Sequence, residues 1–454
     1  MAEALSRPEP SHDVGDQYAN APLPQRLTVG GWRVALIIAS FSISLPTFLN
    51  GAQTSLALGF WPAVLAAFLA GLCLCLGGCL TSLVAVRSRL NTYLLIRRSF
   101  GLGGAGLVNV IIALVHFCWF GVNVSFLGDA VAAAAEGFGF RPDFIAVVIG
   151  GAALMALTTL VGFRALDRLA MIGVPLLAAM IVAVCVAAAR RHGIVLDAPA
   201  ISPYHMTFGI AVSAIIGGDM LTITTLPDLS RYTRTGKGAV LSMALSYPFT
   251  APLLMAGAAL AALATGQTDI MRMITGFGFG AWALLLLVMP TWTLNSLNLY
   301  SASLSLTATF PQVPRWAFVL FGTVVGTGLA LMGIIEGFIP FLVLLGVTIP
   351  PFAAIYVIDG WTKFRSVDAA ASIENLDAVH WPAVTAWAAT STLAAIALHY
   401  DFTISTVPAL DATVFASLLY IALLHLAGQR PFTTALRGAG QSASGQPVDM
   451  AAQA

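Results

Sequence analysis

Asp219 stands at the centre of an apolar run from Phe208 to about Leu226, directly after Gly217 and Gly218. A carboxylate at mid-membrane depth costs roughly 2.5–3.5 kcal/mol on insertion scales, and glycine weakens a helix by about 1 kcal/mol relative to alanine. Such a carboxylate can carry a coupling proton or hold a cationic ligand. Unwound glycines can free backbone N–H and C=O groups for a ligand; the alternative is that they let two helices approach closely. A second group, His116, Trp119 and Asn123, shares one helical face at i, i+3 and i+7, a stripe about 10 Å long at 1.5 Å per residue. An indole face beside hydrogen-bonding groups suits a flat, polar, heteroaromatic ligand. Ordinary packing of Trp119 and a satisfied core role for His116 are the competing readings. In the apolar run Thr291 to Tyr300, Asn295 can offer its amide to a ligand edge and Thr293 a hydroxyl oxygen to a cation; interhelical hydrogen bonds would use the same groups. Pro46, Thr47, Asn50 and Gly51 interrupt another apolar run.

The elements that must position these residues follow from composition. The 454 residues are 58% hydrophobic and 9% charged, against about 25% charged in a typical soluble domain. Apolar runs of about 20 residues match helices crossing ~30 Å of hydrocarbon and exceed the strands of an outer-membrane barrel. The expected fold is therefore all-α and integral to a membrane. Twelve spans are predicted near 31–53, 57–83, 103–135, 143–163, 168–188, 206–227, 239–265, 277–308, 314–334, 338–361, 381–399 and 409–427. With the N-terminus cytoplasmic, all of the 21 basic residues except Arg141, Arg190, Arg191 and Arg272 fall on the inner side, as the positive-inside rule requires. The expected location is the cytoplasmic (inner) membrane, multi-pass, with both termini cytoplasmic. Residues 1–25 and 438–454 read as disordered cytoplasmic tails, 26–361 as a transport core and 381–427 as two further helices. Within the core, repeat one (31–188) and repeat two (206–361) each hold five spans, and the odd number inverts the second.

Spans 1 and 6 open the two repeats and both carry helix breakers, expected at Pro46, Thr47, Asn50 and Gly51 and at Gly217 and Gly218. Paired broken helices in inverted repeats point to a substrate site at the midplane. In span 10, Gly346 and Pro350-Pro351 suggest a bending gate.

Several functions are excluded or disfavoured. The net charge of +1 and the lack of a long basic block give no sign of nucleic acid. Neither H-e-x-x-H nor G-x-S-x-G chemistry is present, so no enzyme and no cofactor are expected. The five cysteines are an odd set inside apolar runs and suit neither disulfides nor a metal. Gly101, Gly103 and Gly106 fit a dinucleotide motif, but no strand precedes them. The expected partners are a small heterocyclic substrate and the lipid bilayer, with no obligate protein partner. An amino-acid or polyamine carrier, in which Asp219 binds an ammonium, is the alternative.

Five segments in order carry a resemblance. Trp119-Phe120-Gly121, Leu226-Pro227-Asp228-Leu229-Ser230-Arg231-Tyr232, Trp292-Thr293-Leu294-Asn295, Asn91 to Gly101, and Ile349-Pro350-Pro351 with Asp359 resemble the nucleobase-cation-symport family, its bacterial cytosine permease branch above all. The likeness covers most of spans 1 to 10. It implies a leucine-transporter-type fold with five-plus-five inverted repeats and broken helices 1 and 6, importing a nucleobase or related nitrogen heterocycle with H⁺ or Na⁺. By the same resemblance Trp119 stacks on the base, Gly218-Asp219 lies on its other side and Asn295 reads its edge. Asp219 replaces the branch's aromatic residue, His116 its Gln, and Leu294 the second hydroxyl of sodium-coupled members. Losing one oxygen weakens a sodium site, so H⁺ is the favoured ion, with Asp219 and His116 the coupling candidates and Thr293 the remaining sodium candidate.

Overall fold

A computed structural model describes residues 21–161, 164–197, 199, 205–365, 367–368, 373 and 376–429. The tail assignments for 1–20 and 438–454 lie outside the described residues. Among those described, the chain is helical throughout its spans. Span 1 is α1 (Gly31–Ser42) and α2 (Leu45–Leu58), followed by α3 (Phe60–Ser88) and α4 (Thr92–Gly137). Spans 4 to 6 are α5 (Phe144–Val161), α6 (Arg164–His192) and α7 (Phe208–Thr225), with one further turn, α8 (Pro227–Ser230). Span 7 is split into α9 (Gly236–Ser246) and α10 (Thr250–Thr265), and a short α11 (Ile270–Gly276) precedes α12 (Ala281–Thr309). The rest are α13 (Arg315–Leu331), span 10 as α14 (Phe338–Thr348) and α15 (Pro350–Trp361), α16 (Trp381–His399) and α17 (Pro408–Leu426). The helical segments fall where the twelve spans are predicted.

Two helix breaks depart from expectation. The break in span 1 lies at Ile43-Ser44, before Pro46. Pro46 sits in the first turn of α2, where its missing N–H costs nothing, and the Ser44 hydroxyl caps the turn by accepting from Thr47 N at 3.3 Å. Thr47, Asn50 and Gly51 are therefore helical. In span 6, α7 runs unbroken through Gly217 and Gly218 and stops at Thr225, before Pro227. Gly217 is needed for close packing: a Cβ there would stand 1.8 Å from Leu342 O and 2.7 Å from Gly346 N on α14. At Gly218 such a Cβ would make only ordinary contacts, with Leu342 Cδ2 at 3.8 Å and Asn50 Nδ2 at 3.9 Å. Span 10 does break at Ile349, between α14 and Pro350.

The helices sort into two bodies. α4 packs most extensively on α12, and α5 and α13 complete that scaffold. In the other body α2 packs on α10, α3 on α7 and α1 on α9. Backbone contacts lock this bundle: Gly31 crosses Gly238 so tightly that a Cβ would meet its carbonyl at 2.4 Å. Ser242 and Ser246 hydroxyls donate to Gly31 O (2.7 Å) and Ala35 O (3.1 Å). At the same end, the Arg89 guanidinium donates to the Arg231 and Thr233 carbonyls, each at 2.7 Å, and Arg87 donates to Gly360 O. We refer to this as the basic end. The two bodies meet directly over few residues, mainly where α2 and α7 face α4.

Candidate functional site

Where bundle and scaffold face one another, they enclose a cavity of about 290 Å³. The bundle wall is made by the interruption of span 1, through Ser44, Pro46, Thr47 and Asn50, and by Gly218, Asp219 and Thr222 of α7. Because the break in span 1 precedes α2, the first turn of that helix aims at the cavity with Thr47 and Asn50 one turn apart. The Asn50 carboxamide oxygen accepts from Thr54 Oγ1 at 3.3 Å, and its nitrogen lies beside Gly218.

The scaffold wall presents His116, Trp119 and Asn123 from α4 and Leu294, Leu297, Asn298 and Ser301 from α12. The first set is the stripe predicted from sequence. His116 Nδ1 and Asn298 Oδ1 are 3.2 Å apart; an amide oxygen only accepts, so the ring nitrogen donates and Nε2 is left to accept from a ligand. Asn123 donates Nδ2 to Trp119 O at 2.9 Å, holding the helix turn beneath the indole. The Trp119 ring meets Phe338 and Phe341 of α14 edge-on, with centroids 6.3 and 5.4 Å away. Phe338 and Leu342 cap the cavity on that side.

Asp219 is the one sequence-predicted acid in the lining, and among the described residues no side chain hydrogen-bonds or ion-pairs with it. Asp228, the second acid in the lining, is committed elsewhere: its Oδ1 accepts from Thr92 N at 2.8 Å, tying α8 to the start of α4. Thr225, Leu226, Asp228 and Leu229 carry the cavity from Asp219 toward the basic end.

Four predicted site residues are not brought to the cavity: Gly51, which packs against Met255, Gly217, which packs against α14, and Asn295 and Thr293 of α12. Asn295 is wholly buried and donates Nδ2 to Phe120 O at 3.1 Å and Met155 Sδ at 3.2 Å. Its amide joins α12 to α4 and α5, and it is Asn298, one turn further along, that lines the cavity. Thr293 is likewise buried and outside the lining. Asn298 was findable: Leu294, Leu297, Asn298 and Ser301 recur at i, i+3, i+4 and i+7, one face of a helix. A tryptophan-centred motif drew attention to the neighbouring face. His116, Trp119, Asn123, Gly218 and Asp219 do converge, as do Pro46, Thr47 and Asn50, although Thr47 and Asn50 sit on a helix and not in an unwound strand.

A family model described as a permease for cytosine/purines, uracil, thiamine and allantoin matches residues 22–421. The cytosine permeases of Escherichia coli O157:H7 and of strain K12 are each 24% identical over 372 residues, covering 82% of this chain and 87% of the relative. Among solved structures, an inward-facing conformation of Mhp1 superposes with a TM-score of 0.80 at 18% identity, covering 99% of both chains. A closed conformation of Mhp1, described as a nucleobase-cation-symport-1 family transporter with bromovinylhydantoin bound, gives 0.73 at 21% identity, over 92% of this chain and 97% of that one. A Na⁺-coupled sialic acid symporter gives 0.57 at 12% identity, over 88% and 90%.

Proposed function

Because the chain belongs to the permease family for cytosine/purines, uracil, thiamine and allantoin and is a nucleobase-cation symporter, we propose that its cavity carries a planar nitrogen heterocycle such as cytosine inward with protons. The carrying observation is the pairing of walls: an indole, an imidazole acceptor and an amide on the rigid scaffold face a carboxylate on the bundle that no described side chain hydrogen-bonds or ion-pairs with. A flat ring stacked on Trp119 would lie against the Gly218 backbone, where the missing side chain leaves room. Its polar edge would meet His116 Nε2 and Asn298, with Asp219 on the facing wall free to take the proton. Stacking of this kind adds about 0.5–1.5 kcal/mol beyond area burial.

The cavity leads toward the end that holds Arg87, Arg89 and Arg231. The opposite end holds Arg141, paired with Glu136, and Arg272, paired with Asp269. The positive-inside rule favours the basic end as the cytoplasmic one, which supports cytoplasmic termini and an inward-facing cavity, and the bacterial relatives support the inner membrane. Trp119 with Phe338 and Phe341 closes the outward path. The bundle, zipped at its basic end, would rock against the scaffold, while α14 swings about Ile349-Pro350.

Asp219 accounts for the choice of ion. A carboxylate that no described side chain engages takes either a proton or a cationic ligand, and the Thr293 hydroxyl of α12 that would serve sodium is outside the cavity. Uptake in proteoliposomes under imposed gradients tests this. Proton-driven accumulation without Na⁺ is expected; full accumulation by Asp219→Asn, or strict Na⁺ dependence, would overturn it. An amine carrier, favoured by the same free carboxylate, is separated by a thermal-shift panel of nucleobases, hydantoins and amines, since a tight ligand stabilises the state it binds.

A further inference from the structure

Pro350 and Pro351 carry no N–H, so a chain that turns helical through them leaves the carbonyls of Gly346 and Val347 without their usual donors. The joint tightens there, with Phe352 N donating to Ile349 O at 3.1 Å. At membrane depth, backbone groups freed by proline must be met from neighbouring helices. α16 supplies donors at this joint: Trp387 Nε1 donates to Thr348 O at 3.1 Å, and the Ser391 hydroxyl, one turn later, donates to Val347 O at 3.4 Å. The Trp387 ring also lies on Phe352 of α15, with centroids 4.6 Å apart and planes 18° from parallel. One side chain thus grips both halves of span 10, by its N–H above the joint and by its ring face below. Beneath the joint α15 is pinned, because Tyr356 OH donates to Thr224 O at 2.9 Å and Tyr420 OH to Asp359 Oδ1 at 2.7 Å. Above it α14 leans on Trp119 through Phe338 and Phe341. On the other side of α14, Ile339 and Val343 border an open crevice reaching Ala395 and Leu398 of α16, which leaves the upper half space to withdraw.

We propose that Trp387 and Ser391 are positioning residues for the gate. From α16, outside the ten spans expected to form the two repeats, they splint the joint with α14 seated and so set the balance between inward- and outward-facing chains. The inference rests on the gating motion proposed above, in which α14 swings about Ile349-Pro350. When α14 leaves Trp119, the carbonyls of Val347 and Thr348 turn away from α16 and lose these donors. Both bonds therefore favour the seated form, and a variant moves the equilibrium only by the difference it makes between the two forms. Removing a donor weakens the seated form alone, so the outward-facing population should rise.

The test uses Leu342→Cys, at a position lining the central cavity, as a reporter. A membrane-impermeant maleimide is applied to the outer face of right-side-out vesicles holding the full-length chain, and the rate given by the five native cysteines alone is subtracted. Trp387→Phe keeps a ring on Phe352 and removes the N–H; Ser391→Ala removes the hydroxyl and Ser391→Thr keeps it. Monodisperse elution certifies each variant, and the Ser391 pair decides the matter where Trp387→Phe fails that check. Trp387→Phe and Ser391→Ala should each raise the labelling rate about fivefold, the shift that one net hydrogen bond gives, and Ser391→Thr should match the wild type. Pro351→Ala supplies a new N–H to Val347 O, so Ser391→Ala should be silent in that background, a result that lost packing would not produce. Unchanged labelling in Trp387→Phe and Ser391→Ala, or an equal effect of Ser391→Ala in both backgrounds, overturns the splint and leaves the gate standing. A reporter that no variant and no external cytosine makes reachable from outside overturns the gate itself, and the splint with it.

Discussion

The two walls of the central cavity are built on different terms. On the scaffold side, α4, unbroken after its kink at Gly101, and α12 are pressed along their length, and they present functional groups that are already oriented: Asn123 bonded to Trp119 O, His116 bonded to Asn298. On the bundle side, span 1 is interrupted, α7 stops before Pro227, and Asp219 has no side-chain partner. A rigid wall recognises shape. A wall with a helix end and an unengaged carboxylate can change its charge and its position, which is what coupling and gating demand. The proposed function puts recognition on the first side and energy coupling on the second.

The sharpest way to break that contrast uses adjacent glycines of the bundle wall. Gly217→Ala drives a methyl group into Leu342 O and is expected to cost more than the ~1–3 kcal/mol usual for overpacking, collapsing yield and the thermal transition in detergent. Gly218→Ala, with ordinary clearance, should keep the wild-type transition and weaken substrate binding. Equal stability of the two variants would show that the α7–α14 crossing is looser than its geometry implies.

Next in size is Asp219→Asn. Proton-driven accumulation should fall by at least about tenfold, ~1.4 kcal/mol, while exchange down a substrate gradient persists; loss of both would move Asp219 into recognition. Trp119→Ala should raise Kd about tenfold, with Trp119→Phe intermediate because a smaller ring still stacks, as read by equilibrium binding. On α12 the paired variants Asn298→Ala and Asn295→Ala separate wall from interior. The first should weaken binding without moving the thermal transition, and the second should lower the transition by the equivalent of about 1–2 kcal/mol without changing Kd.

The smallest effect distinguishes pH-dependent folding from pH-dependent transport. His380, which precedes α16, is buried, and burial lowers its pKa from 6.5 despite the opposing influence of Asp359. The unfolded chain then takes up a proton that the folded chain refuses, so this contribution is whole above pH 6.5 and is lost as pH falls toward the lowered folded value. The thermal transition should drop modestly between pH 7.5 and 5, and His380→Gln should flatten that slope while leaving the pH profile of uptake per folded molecule unchanged.

Much of the molecule was legible beforehand. Hydropathy and charge asymmetry gave the positions of the helical spans, because each span must bury its own backbone hydrogen bonds within one stretch of chain. The stripe His116, Trp119 and Asn123 was legible because a 3.6-residue period places those side chains on one face whatever surrounds them. The break positions were less so. Pro46 signals a helix start as readily as a helix end, and only the Ser44 cap decides between them. Gly217 and Gly218 look alike in sequence, yet one is a contact surface and the other a cavity wall. Asn295 and Asn298 are both polar residues in an apolar run, and three residues of rotation plus the placement of Met155 and Phe120 determine which amide is spent inside the scaffold.

By itself, then, the sequence determined the class of the protein, the course of its spans and the presence of a costly carboxylate beside paired glycines, since these follow from transfer free energies and helix periodicity along a single chain. Only the tertiary structure decided which glycine touches α14 and which asparagine faces the cavity. Those are properties of contacts between helices distant in sequence, where a shift of one residue in crossing point exchanges a packed face for an empty one.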